Sequence, residues 1–146
     1  MTKLHSGDWV VVCDGRKALL LENRGDDKFP DLRTKEVHEH EDPPTRELGQ
    51  AAPGRVQPAV GTARSSIDQP DWHDEAERAF LAKLAQRLDG AIAKGETTRL
   101  VVFAAPRALG MLRHAYSPAV RAAVKAEVAK DCVKMPIGEI EKQFIG

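Results

Sequence analysis

The residues best placed to do chemistry in this chain are one aspartate and a scattered set of arginines. Asp14 follows the apolar run WVVVC, and Arg107 follows a second such run, LVVFA, across Ala105-Pro106. A carboxylate and a guanidinium at the ends of two neighbouring parallel strands could share a crevice, because ligands in open α/β sheets bind beyond the strands' carboxyl ends. A helix starting at Pro106 adds unpaired backbone N–H groups, which attract anions such as phosphate. Arg113, later in the same helix, could extend that cationic surface. Further back lies GQAAPGRVQPAVGTARSS, residues 49–66, with Arg55 and Arg64 among glycines and prolines. Glycine lets a backbone approach a ligand closely, and arginine binds phosphate through a planar fork. The chemistry these residues suit is recognition of a polyanion such as RNA. The candidate binding residues are therefore Asp14, Arg55, Arg64, Arg107 and Arg113. Three plainer alternatives stay open: Asp14 builds only a turn, Arg107 is a surface cation, and the arginine-bearing segment is a connector.

Other chemistry is less well supplied. HEHED, residues 38–42, holds imidazoles and carboxylates, both metal ligands in principle. No third ligand stands at a fixed spacing, so the segment reads as a solvated edge strand, and no metal or cofactor is expected. Ser65, Ser66 and the five histidines give no sign of a base beside a nucleophile. Cys13 and Cys132 lack a metal-binding spacing and sit in apolar surroundings, as buried reduced thiols do.

These residues need a scaffold, and the hydrophobic pattern supplies one. Residues 9–13 are β-branched, aromatic and unbroken, which suits a strand covered on both faces. Asp14-Gly15 is a strong hairpin signal, and residues 17–22 return as the second strand. Residues 32–38 form a third strand, charged enough to belong near a sheet edge. A long unpatterned loop spans about 39–70, broken by Pro43, Pro44, Pro53 and Pro58. A helix is expected from Asp71 as N-cap to Lys94-Gly95, with Ala76, Phe80, Leu84 and Leu88 as its stripe. Residues 99–104 form the fourth strand, and Pro106 opens the next helix. Ser117-Pro118 starts another, striped by Val120, Val124 and Val128, and Pro136 opens a last short one. The order is β-β-β, loop, then α-β-α-α-α. It predicts an α/β fold with a mixed sheet and an N-terminal antiparallel meander.

With 146 residues the chain fits one domain, 1–146, able to bury a core. Acidic and basic residues balance at 22 each, so no whole-molecule attraction to nucleic acid or membrane is implied. The basic residues do concentrate in the last third, where Arg107, Arg113, Arg121, Lys125, Lys130 and Lys134 lie. No run approaches the roughly 20 apolar residues of a membrane span, and the N-terminus lacks an apolar signal core, so a cytoplasmic protein is expected.

Three pieces taken together, WVVVCDGRKALLLEN, LGQAAPGR…TARSS ahead of HDEAERAFLAKLAQRL, and LVVFAAPRALGMLR ahead of AVRAAVKAEVAKD, resemble the bacterial host-attachment protein family. The resemblance covers nearly the whole chain. It implies a fold related to the middle domain of archaeal and eukaryotic peptide-chain release factors. It also implies that residues 49–66 correspond to the loop whose Gly-Gly-Gln tip reaches the ribosomal peptidyl-transferase centre. This chain has Gly49-Gln50 but no Gly-Gly-Gln, so the expectation is a non-catalytic, RNA-binding or ribosome-associated role with an indirect effect on attachment. The alternatives are a hydrolase of a small phosphate ester or nucleotide, with Asp14 as base or metal ligand, and a homodimeric interaction protein.

Overall fold

The computed structural model describes residues 3–39 and 62–144, with side chains from Asp74 onward in the long helix. A five-stranded mixed sheet has the order β3-β2-β1-β4-β5. β1 (Trp9–Cys13) lies at its centre, antiparallel to β2 (Lys17–Asn23) and parallel to β4 (Leu100–Ala104). Every residue of β1 and β4 is buried, which explains their unbroken apolar runs. The hairpin signal at Asp14-Gly15 joins β1 to β2. β3 (Leu32–Glu39) pairs antiparallel with β2 at the sheet edge, where its charged residues are solvated.

Two apolar layers close on this sheet. One face carries Trp9, Val11, Cys13, Leu20, Val102 and Ala104. It is covered by α1 (Thr62–Ala93), α2 (Pro106–Ala115) and α3 (Pro118–Ala123). Leu81, Leu84 and Leu88 of α1 and Leu109 and Leu112 of α2 pack against it. The opposite face carries Val10, Val12, Val101 and Phe103. Leu4, Cys132 and α4 (Ile137–Lys142) cover that side, with Phe144 meeting Phe103 edge to face at 5.7 Å. Glu141 of α4 accepts a 2.7 Å hydrogen bond from the Leu32 backbone N–H, tying the second layer to the start of β3. The two cysteines are free and buried, one in each layer.

Two elements differ from the sequence expectation. α1 begins at Thr62 rather than near Asp71, so Pro70 and Asp71 lie inside it; Glu39 belongs to β3, and the rest of the expected loop, 40–61, lies outside the described residues. Adding residues to a nucleated helix is cheap, and one proline does not outweigh propagation along so long a segment. The second difference is β5 (Val124–Ala129), which pairs parallel with β4 where a continued helix was expected. Val124 and Val128 are four apart, a spacing that shares a face in a helix and in a strand alike. Pairing wins because β4 would otherwise leave a buried row of backbone donors and acceptors unpaired. From α1 onward the order is therefore α-β-α-α-β-α. Among the described residues no helix is long and apolar enough to cross a membrane.

Candidate anion-binding groove between the first two helices

The parallel pairing of β1 and β4 brings their carboxyl ends together, with Cys13 opposite Ala104. The Ala105 N–H donates to the Cys13 carbonyl at 3.3 Å, so Asp14 and the start of α2 lie at the same end of the sheet. Asp14 is occupied by its own turn: its Oδ1 accepts from the backbone N–H groups of Arg16 at 2.7 Å and Lys17 at 2.8 Å. A Cβ at Gly15 would stand 2.6 Å from Cδ of Glu77, so that long side chain would have to swing aside. The Glu77 side chain thus lies across the turn and reaches toward α2.

Arg107, in the first turn of α2, meets that acidic side of α1. Its guanidinium pairs with Asp74 and stands 3.8 Å from Glu77, while 58% of the side chain stays exposed. α2 starts with no side-chain cap, and Pro106 takes its first position, as the sequence predicted. Arg113 does not join Arg107 and Asp14. It sits in the last turn of α2 and bonds Glu127 of β5 at 2.8 Å. Tyr116 donates its hydroxyl to the other Glu127 oxygen at 2.9 Å, and burial, then this hydrogen bond, raise the phenol above its ordinary pKa of 10. Arg121 stacks over the Tyr116 ring and donates to the Arg113 carbonyl. Arg55 lies outside the described residues. Arg64 is on the first turns of α1, with its side chain outside them.

A groove of about 640 Å³ runs between α1 and α2. Arg78 and Ala82 line it from α1, and Arg107, Gly110, Met111 and His114 from α2. These positions recur at helical spacing, so each helix presents one flank to the groove while its leucines face the sheet. No acidic residue is among the described residues lining it. The sequence reading missed Arg78 and His114. A projection of α2 places 107, 111 and 114 on one flank and Leu109 and Leu112 on the next, so His114 was within reach of sequence; Arg78 needed the helix pairing.

Of the HEHED segment only His38 and Glu39 are among the described residues, at the end of β3; His40, Glu41 and Asp42 lie outside them. His38 bonds Glu36 at 2.9 Å, and Glu36 receives a two-pronged contact from Arg87 of α1. That guanidinium holds the Glu36 carboxyl down at about 2, with the His38 contact adding to it. Arg87 also bonds Glu96 and lies 5.5 Å over the buried ring of Trp9. A second cavity of about 550 Å³ opens between the end of β3 and α1, beside His38, Phe80 and Lys83.

No curated protein matches the chain significantly in sequence. A family model described as "Protein required for attachment to host cells" matches residues 9–144, from the first residue of β1 to the phenylalanine that closes the second apolar layer. That span includes the whole sheet and both helices of the groove, and the chain belongs to this host-attachment family.

Proposed function

We propose that this protein binds a polyanion, RNA or an RNA-bearing surface of the ribosome, and that it acts without catalysis in the cytoplasm, affecting attachment indirectly. The observation that carries this reading is the α1–α2 groove, with Arg78, Arg107 and His114 along it and no acid among its described lining residues. Guanidinium groups bind phosphate oxygens in pairs, and counterion release strengthens such contacts at low salt. Arg107 is central to the proposed surface, and Arg55 and Arg64 would extend it from the segment that precedes and opens α1. Arg113 contributes at the far end of α2, where Glu127 fixes its position. Asp14 supports the surface from beneath, by holding the turn on which Glu77 rests. The hydrolase alternative is the weaker one, because the Asp14 carboxylate is committed to two turn hydrogen bonds. The release-factor-like fold that the family resemblance implies would suit a ribosomal surface as the partner.

The test is co-sedimentation of the purified protein with bacterial ribosomes, in low and then high salt, beside the Arg78→Glu/Arg107→Glu double variant. Expected are pelleting that falls with salt and a loss of about tenfold or more in the variant, since two phosphate contacts become repulsive. Pelleting equal in both proteins would remove the groove as the contact surface. Absence of pelleting at low salt would remove the ribosome as partner.

A further inference from the structure

The groove has more to it than positive charge. Phosphates need only cations on a rim, and a convex ridge would serve them. This surface is concave, and its volume of about 640 Å³ falls within the roughly 300–1,000 Å³ typical of small-molecule sites. Between the basic residues its floor is Ala82, Gly110 and Met111. Gly110 is the telling residue. It sits inside α2, where glycine costs about 1 kcal/mol relative to alanine. Close packing does not require it, because a Cβ built there would meet nothing within 4 Å. Its φ is not in the left-handed region either. What the missing side chain leaves is an open floor, on which a flat group can lie against the helix backbone.

We propose that this groove takes an unpaired base of single-stranded RNA, with the flanking phosphates on Arg78 and Arg107. This rests on the polyanion-binding reading above and narrows it to one class of nucleic acid. A flat heteroaromatic ring matches a floor of glycine, alanine and a methionine thioether, since methionine packs well against aromatic groups. The guanidinium planes of Arg78 and Arg107 offer stacking surfaces as well as phosphate donors. Asp74 pairs with the Arg107 guanidinium and so holds it at the groove's end near the start of α2. A duplex is a poor occupant. Its bases are sealed in the stack, and extruding one costs a few kcal/mol that a single strand does not spend. Sequence-tolerant contact of this kind is how single strands are held without a base code.

The experiment uses the full chain and fluorescence anisotropy. The probes are a labelled single-stranded RNA of about 12 nucleotides, the duplex of the same sequence, and inorganic polyphosphate as an unlabelled competitor. The wild type is compared with Gly110→Leu, whose new side chain enters open space, and thermal melting checks that the variant is folded. The single strand is expected to bind about tenfold tighter than the duplex, the range that one stacked base confers. Gly110→Leu is expected to lose about that factor for the single strand and to keep its competition by polyphosphate. Equal affinity for single strand and duplex, or a folded Gly110→Leu that binds the single strand as wild type does, overturns the base site and leaves polyanion binding standing. If neither the single strand nor the duplex binds the wild type, the polyanion reading itself falls, and the base site with it.

Discussion

Glu36 offers a direct test of the electrostatics that hold α1 on the sheet. Its carboxylate receives both Nε and a terminal nitrogen of Arg87, and the same guanidinium bonds Glu96 and covers Trp9. Glu36→Gln keeps the shape of the side chain and removes its charge. The carboxyl drops from an ordinary 4.5 to about 2, chiefly through the Arg87 hydrogen bonds. At about 1.4 kcal/mol per pH unit the ceiling on its contribution is about 3.4 kcal/mol. The side chain keeps 26% of its surface in solvent, and screening there reduces the figure to about 1–2 kcal/mol. The sign follows from linkage. Folding lowers this pKa, so the contribution is complete above the unfolded value of 4.5 and is lost as pH falls toward about 2. Urea unfolding of wild type and Glu36→Gln at about pH 7 should therefore differ by about 1–2 kcal/mol, and at about pH 2 by close to nothing. A gap of the same size at both pH values would show that the substitution acts through packing rather than charge. No gap at neutral pH would show that the Arg87 contact contributes nothing net. Either result refutes the reasoning.

The β2–β3 turn should be intolerant at Gly25. A Cβ there would stand 2.1 Å from the Phe29 carbonyl oxygen, so Gly25→Ala should cost about 1–3 kcal/mol in denaturant unfolding, and a variant as stable as wild type would contradict that close approach. The chain has one tyrosine, so phenolate absorbance reads Tyr116 alone. Burial and the Glu127 bond should keep it protonated past its ordinary value of 10, with ionisation appearing only as the protein unfolds; native titration at 10 would break the Tyr116–Glu127 assignment. The Cys13 thiol is pushed up to about 12, first by burial, and should resist aromatic disulfide reagents until denaturant is added. Fast labelling of Cys13 in the native protein would place it at the surface instead.

The sheet was legible where the side chains obeyed one period only. WVVVC and LVVFA are too apolar for anything but strands covered on both faces, and Asp14-Gly15 fixed the turn after the first. The charges of β3 marked it as an edge, and Pro106 marked a helix start. The failures came where a local signal fitted two structures. Val120, Val124 and Val128 satisfy helix and strand face rules alike, and only the unpaired edge of β4, a tertiary fact, makes 124–129 a strand. Pro70 reads locally as a helix boundary, yet α1 continues through it. The first of these errors spread into the site. With residues 124–129 taken as helix, nothing pointed to Glu127 as the partner of Arg113, so Arg113 read as free for a shared crevice with Asp14. Asp74 and Glu77 were visible as acids early in a helix and suited its dipole. Their hold on Arg107 depends on how α1 crosses α2, which no single-helix pattern encodes.

Packing these two helices on the sheet does not by itself require the groove between them. Both turn their leucines to the sheet, and that burial is served whether or not the outer flanks touch. Larger side chains at 82 and 110 would fill the space, add apolar burial and, at 110, improve the helix. Folding instead leaves the flanks small and sets Arg78, Arg107 and His114 along them, with no acid among the described residues that line the groove. Asp74 and Glu77 offset the charge of Arg107 from one end only. A sequence shaped by stability alone would do the opposite on both counts. Departures of this kind, a bare helix backbone beside two arginines at one place, are where a binding function is expected to reside.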